Sequence, residues 1–133
     1  MIVIDASSLS AYILREEGSE EIAKHLREAT TSIGLVAKET ANVIVVAERK
    51  ARIDKGQAEV ALSALQALLD GGIKVHEQRD LLPSSFEIAR SENVTVYDAM
   101  YVALAKKMGA RLLTREEKQA KAGRSQAVQV VKD

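Results

Sequence analysis

The sequence predicts a three-layer α/β domain with a mainly parallel central sheet, and three observations predict it. Short β-branched or apolar runs recur along the chain, separated by one or two segments with helical spacing of apolar residues. The first run, Ile2-Val3-Ile4, is apolar at every position, which suits a central strand covered on both faces. That run ends on a carboxylate, Asp5, at the strand terminus where open parallel sheets bind their ligands.

Local signals justify each element in turn. Ser7 or Ser8 is placed to cap a helix through Leu9, Tyr12, Ile13 and Leu14, which Gly18 breaks. Ser19 opens a second helix with Ile22, Ala23, Leu26 and Ala29 on one face. Thr30-Thr31-Ser32-Ile33 is polar but β-branched and reads as a strand. Residues 35–52 are ambiguous, because Val43-Ile44-Val45-Val46 favours strand by propensity while its flanks favour helix; we read one long buried helix. Residues 57–69 are a clearer helix, with Ala61, Leu65, Leu68 and Leu69 on one side and Gly71-Gly72 as its stop. Ile73-Lys74-Val75 follows as a brief strand. Pro83 fits the first turn of a helix through Phe86, Ile88 and Ala89. Residues 97–108 form another, with Tyr97, Tyr101, Leu104 and Met108 along one side and Gly109 as its end. A strand at Leu112-Leu113-Thr114, a short helix over 116–122 and a strand over 128–131 complete the chain.

Composition narrows the function. The 133 residues fit one domain, 1–133, with no internal repeat or long linker. Cysteine is absent, which removes disulfides and thiolate zinc sites. No apolar run approaches the ~18 residues of a membrane span, and no basic-then-apolar start suggests a secretory signal, so a cytoplasmic location without membrane association is expected. Net charge is formally zero, so a strongly basic nucleic-acid binder is not indicated by totals, although an acidic pocket inside a basic rim remains compatible. With three Tyr, one Phe and no Trp, a base-stacking platform is disfavoured, and any nucleic acid would be gripped through its backbone.

Four acids recur at strand ends and helix starts. Each has a plain structural alternative. Asp5 can stabilise the turn or helix that follows its strand. Glu39 sits near the start of an apolar helix, where a first-turn acid favours the macrodipole, but a Glu on a buried helix needs a partner, and Asn42 lies three residues on. Asp98 follows Thr95 at the spacing of a capping pair. Glu116 follows Thr114 closely, and Glu117 is the better capping-box partner for that threonine, which leaves Glu116 free. Gathered together, the four would make a hard-oxygen cage for Mg2+ or Mn2+. Like charges ~5 Å apart repel by roughly 3 kcal/mol per pair at an effective dielectric of ~20, and a divalent cation relieves that repulsion. Such an ion activates water and offsets charge on a phosphoryl group. Ser7 and Thr114 would supply supporting hydroxyls.

In order and spacing, Val3-Ile4-Asp5-Ala6-Ser7, Glu39-Thr40-Ala41-Asn42, Tyr97-Asp98-Ala99 and Leu113-Thr114-Arg115-Glu116 resemble the PIN-domain nucleases, and within them the compact VapC-type toxins of toxin–antitoxin pairs. The likeness covers nearly the whole chain. It implies a PIN-like fold and a metal-dependent endoribonuclease hydrolysing RNA phosphodiester bonds. It further implies Asp5, Glu39 and Asp98 as metal ligands, Glu116 completing the catalytic acids, a homodimer, and an antitoxin partner. The family usually has Asp at the fourth position; Glu116 reaches one methylene further.

Other features carry less. His25 and His76 are far apart and form no ligand pair. Arg115, Lys118, Lys121 and Arg124 stand beside Glu116; Arg115 and Lys118 are candidates for RNA phosphate contacts, against a solvated face as the alternative. Two competing functions remain: a non-catalytic PIN-like module binding RNA or protein, and a phosphoacceptor domain using Asp5. The latter is disfavoured because Ser7 occupies the place where a haloacid-type phosphatase has its second acid.

Overall fold

The computed structural model describes residues 1–132. The elements run β1 (Ile2–Ile4), α1 (Ala6–Ile13), α2 (Ser19–His25), β2 (Thr30–Ile33), α3 (Leu35–Arg49), α4 (Lys55–Gly71), β3 (Lys74–His76), α5 (Leu82–Glu92), α6 (Val96–Met108), β4 (Arg111–Thr114), α7 (Glu117–Ser125) and β5 (Val130–Lys132), with a 3-10 turn at Arg79–Leu81 before α5. The strands lie in the order β3-β2-β1-β4-β5, and every pairing is parallel. The expected three-layer α/β/α architecture is therefore present.

The layers follow from chirality. The chain steps from β1 to β2 to β3 in one direction, then returns across the sheet to β4 and on to β5. Right-handed crossovers put the first set of helices on one face and the second on the other. Accordingly α1 packs on α2, α3 and α4, while α5, α6 and α7 pack on one another. β1 and β4 form the centre, and Ile2, Val3, Ile4, Leu112 and Leu113 are fully buried. Burying each such side chain is worth about 1.5–3 kcal/mol.

Several boundaries differ from the sequence reading for identifiable reasons. Asp5, not Ser7 or Ser8, caps α1: its carboxylate accepts from Ser8 N. Residues 35–49 are one helix, so the helical spacing of Val36, Thr40, Ile44 and Ala47 overrides the strand propensity of the valines. That helix is buried along this stripe only, and Val45 on its other side is exposed. Asp54 and Gln57 form a reciprocal capping box that starts α4 earlier than expected. α2 closes at His25, leaving Ala29 outside it. β3 and β5 sit one or two residues later than their apolar runs suggest. α6 is buried at every position from Ala99 to Ala105, not along one stripe, and Tyr97 at its start is exposed. Lying against β1, β2 and β4 and flanked by α5 and α7, the stretch from Ala99 to Ala105 has no solvent face to keep polar; exposure returns at Lys106 and Lys107.

Candidate active site

The sheet order dictates where a site forms. From β1 the chain leaves toward β2, and from β4 it leaves toward β5, so the two central strands diverge at their carboxyl ends. This is the topological switch point where α/β sheets open a crevice. Asp5 follows β1 there, and Thr114 ends β4 beside it. A cavity of about 460 Å³ at this point is lined by Asp5, Glu39, Asp98 and Glu116 together with Ser7, Asn42, Tyr101 and Arg115. Four acids from four separate segments thus share one pocket. A larger cavity of about 560 Å³, lined by Ser84, Glu87, Lys106 and Gln126 among others, gathers no comparable set.

Asp5 is the most constrained of the acids. It is 1% exposed. Ser8 N donates to Oδ1 at 3.0 Å, Ser7 Oγ sits 2.8 and 2.9 Å from the two carboxylate oxygens, and Thr114 Oγ1 donates to Oδ2 at 2.5 Å. Burial still pushes its pKa up to about 6 from an ordinary 3.8, with the Glu116 charge adding to the rise and the hydrogen bonds from Thr114, Ser8 and Ser7 opposing it. The same two hydroxyls join the strand ends. Ser7 Oγ accepts from Arg115 N at 2.9 Å, and Thr114 Oγ1 accepts from Glu116 N at 3.0 Å. Thr114 is therefore not the capping-box partner of Glu117; Glu116 stands at the N-cap position of α7 without a side-chain cap bond, and Glu117 pairs instead with Lys132.

Glu39 and Asp98 approach from the helices. Glu39, in the second turn of α3, accepts from Tyr101 Oη of α6 at 2.5 Å. Its pKa is raised, first by partial burial, then by the Asp98 and Glu116 charges, while the Tyr101 hydrogen bond pulls it down. The Tyr101 phenol is held far above its ordinary range by burial and by Glu39. Thr95 caps α6 by accepting from Asp98 N at 3.1 Å. That cap engages the backbone of Asp98 and leaves its carboxylate for the pocket.

The remaining expected residues divide. Ser7 and Thr114 bond Asp5, and Asn42 lines the pocket from an exposed position on α3. Arg115 lines it too, and its Nη1 donates to Glu17 O at 2.7 Å. This latch fastens the α1–α2 loop, where Arg15 and Gly18 take left-handed backbone angles and Glu16 reaches the pocket lining. Lys118 is exposed and lies outside the lining. Sequence reasoning missed the roles of Tyr101, Gln119 and Glu16. Tyr101 and Gln119 each follow a candidate acid by three residues, a helical spacing that would have flagged them. Glu16 had no local signal.

Among the described residues, no three His, Asp or Glu side chains stand in a ready-made metal-ligand arrangement. Glu39 is turned to Tyr101 and Asp5 to its hydroxyls. Like charges in one pocket also keep apart until a cation screens them. The donor set itself, all carboxylate oxygen, is of the hard type that suits Mg2+ or Mn2+.

Fold and pocket together define an α/β domain with an acidic site at the switch point of a parallel sheet. The family model described as PIN domain matches residues 2–125, and the chain belongs to that family. Ribonuclease VapC3 from Pyrobaculum aerophilum is 35% identical over 121 residues, spanning 90% of this chain and 92% of that protein. Among solved structures, PAE2754 from Pyrobaculum aerophilum superposes with a TM-score of 0.74 at 22% identity, covering 97% of this chain and 81% of that one. A chain of a toxin–antitoxin complex from Klebsiella pneumoniae gives 0.64 at 15% identity, covering 90% and 89%. These two structural likenesses concern the fold.

Proposed function

We propose that this chain, as a single domain over 1–133, is a metal-dependent endoribonuclease and the toxin of a VapBC-type toxin–antitoxin pair. The observation that carries the reading is the meeting of Asp5, Glu39, Asp98 and Glu116 in one pocket at the switch point. The 35% identity to a VapC ribonuclease supports RNA as the substrate. A structural neighbour taken from a toxin–antitoxin complex supports an antitoxin partner. A homodimer and a cytoplasmic location belong to the same reading; no helix among the described residues is long and apolar enough to cross a membrane.

In this reading the four acids hold Mg2+ or Mn2+, with Asp5 as the fixed ligand. When bound, the ion supplies an activated water and offsets charge on the phosphoryl group. Ser7, Ser8 N and Thr114 orient the Asp5 carboxylate, and Tyr101 orients Glu39. Arg115 is a phosphate contact at the rim, held near the pocket by its bond to Glu17 O. Lys118, exposed on α7, contributes only to the wider field.

The test is cleavage of structured RNA by the purified protein with Mg2+ or Mn2+. Cutting that disappears in Asp5→Asn supports the reading; absence of cutting by the wild type with either metal counts against it. One observation favours a second reading, a PIN-like binding module without catalysis: Glu116 stands exposed at the N-cap position of α7, and the longer side chain is not tied to the pocket by a cap bond. Calorimetric titration with Mn2+ separates the two, because a module of this kind takes up no metal at millimolar concentration.

A further inference from the structure

Tyr97 stands in the first turn of α6, directly before Asp98, and is 61% exposed. Its neighbours on either side are both engaged. Val96 packs against the core, and Asp98 lines the acidic pocket. One turn further on, Tyr101 is 1% exposed and lines the same pocket, its phenol donating to Glu39. Positions 97 and 101 lie four apart and share a face of the helix. Helix side chains lean toward the N-terminus, so Tyr97 covers the end of α6 beyond Tyr101. Its ring therefore stands about one helical turn, ~5.4 Å, outward of the Tyr101 ring, at the mouth of the pocket.

The other aromatic rings of the chain are occupied. Tyr12 packs against the core, and Tyr101 is buried. Phe86 is 51% exposed on α5, but the Arg90 guanidinium lies over its face, 5.4 Å from the centroid. A tyrosine is also a poorer helix former than Ala, Lys or Glu, so an exposed first turn gains nothing from one as structure. The charge around the pocket gives the ring a use. Asp5, Glu16, Glu39, Asp98 and Glu116 line it against the single guanidinium of Arg115. Such a surface repels a polyanion except at a bound cation and at Arg115. An uncharged grip on a base escapes that repulsion, and aromatic faces hold unpaired bases of any sequence in this way.

We infer that the exposed Tyr97 ring, one turn outward of Tyr101 at the mouth of the acidic pocket, stacks on an unpaired RNA base beside the scissile phosphate and so anchors the substrate. The inference rests on the nuclease reading of that pocket. One ring is not a platform: it holds one base, and the rest of the strand is gripped through its backbone.

The experiment compares wild type, Tyr97→Phe and Tyr97→Ala by steady-state kinetics with Mn2+. The substrates are a structured RNA whose cut is mapped with wild type, and the same RNA with one abasic nucleotide placed in turn at each position flanking the cut. Tyr97→Ala raises KM about tenfold with kcat within twofold, while Tyr97→Phe, which keeps the ring, stays near wild type. In wild type one abasic position raises KM about tenfold. In Tyr97→Ala that position costs nothing more, because ring and base report one contact. Melting temperature and sedimentation mass stay at wild-type values in both variants. A KM for Tyr97→Ala within twofold of wild type overturns the inference. So does a Tyr97→Phe that matches Tyr97→Ala, which would assign the effect to the hydroxyl, and so do abasic losses that add in full to the alanine variant. A changed sedimentation mass overturns it too, since the ring would then serve contact between copies of this chain. A wild type that leaves RNA uncut with Mg2+ or Mn2+ fails the nuclease reading itself and takes the inference with it. A wild type that cuts while Tyr97→Ala matches it fails the inference alone.

Discussion

The two sides of the pocket are built differently. On the sheet side, Asp5 is fully buried, and its two oxygens are met by Ser7, Ser8 N and Thr114. Those same hydroxyls bind the backbone of Arg115 and Glu116, so the ends of β1 and β4 form one hydrogen-bonded unit. On the helix side, Glu39 is half-buried with Tyr101 as its partner, and Asp98 is fixed through its backbone. One side holds its carboxylate by several hydrogen bonds, while the other holds Glu39 by a single side-chain bond and Asp98 by its backbone alone. Strands supply fixed endpoints because every backbone group there is already paired. Glu39 stands at the margin of the buried stripe of α3, half-exposed, and one side-chain hydrogen bond, from Tyr101, holds its carboxylate.

The sharpest break in this comparison is Asp5→Asn. Removing the fixed carboxylate lowers RNA cleavage by on the order of 10³-fold, several kcal/mol of transition-state stabilisation, in a steady-state assay with saturating Mn2+.

The same substitution has an opposite effect on metal-free stability. Asp5 keeps its proton up to about pH 6 in the folded state, against 3.8 ordinarily. Between those values the native state binds more protons than the unfolded chain, so its contribution to stability is whole below pH 3.8 and is lost as pH rises through 6. The loss amounts to about 3 kcal/mol above that window. Melting temperatures measured in chelator from pH 4 to 7 will fall more steeply with rising pH for wild type than for Asp5→Asn. Parallel curves would show that Asp5 does not titrate there.

Thr114→Val tests whether the sheet side is a unit. It keeps shape but deletes the donor to Asp5 and the acceptor for Glu116 N. Metal affinity or cleavage falls by about 10–100-fold, read by Mn2+ calorimetry and kcat/KM.

Tyr101→Phe probes the helix side and has a smaller effect, about tenfold at neutral pH. The Tyr101 hydrogen bond lowers the Glu39 pKa against burial. Its loss lets that pKa rise further, so the acid limb of the pH profile for kcat/KM moves to higher pH. A limb that stays in place would detach Tyr101 from Glu39 in function. Lys118→Ala has the smallest effect, within about twofold at moderate salt, because an exposed charge outside the lining is screened.

The alternation of elements, and hence the layered parallel sheet, was legible because strand and helix periods are local. So were the four acids as candidates, since each stands at a strand end or helix start. Their placement in one pocket was not legible. It depends on the sheet order that sets β1 beside β4, and on α3 and α6 meeting through Glu39 and Tyr101, residues 62 positions apart. The reading of α6 failed in an instructive way. One-sided burial was expected from Tyr97, Tyr101, Leu104 and Met108, but the layer of helices around α6 decides how many faces it buries.

By itself, then, the sequence determined the elements, the acid inventory and the family resemblance, all of which are encoded in short-range pattern and residue type. Tertiary structure alone decided that Asp5 shares Thr114 with Glu116, that Arg115 latches the α1–α2 loop, and that Gln119 is buried with an unmet acceptor. Hydrogen bonding and burial at this site are set by groups up to 109 residues apart, and only the packed chain brings them within bonding distance.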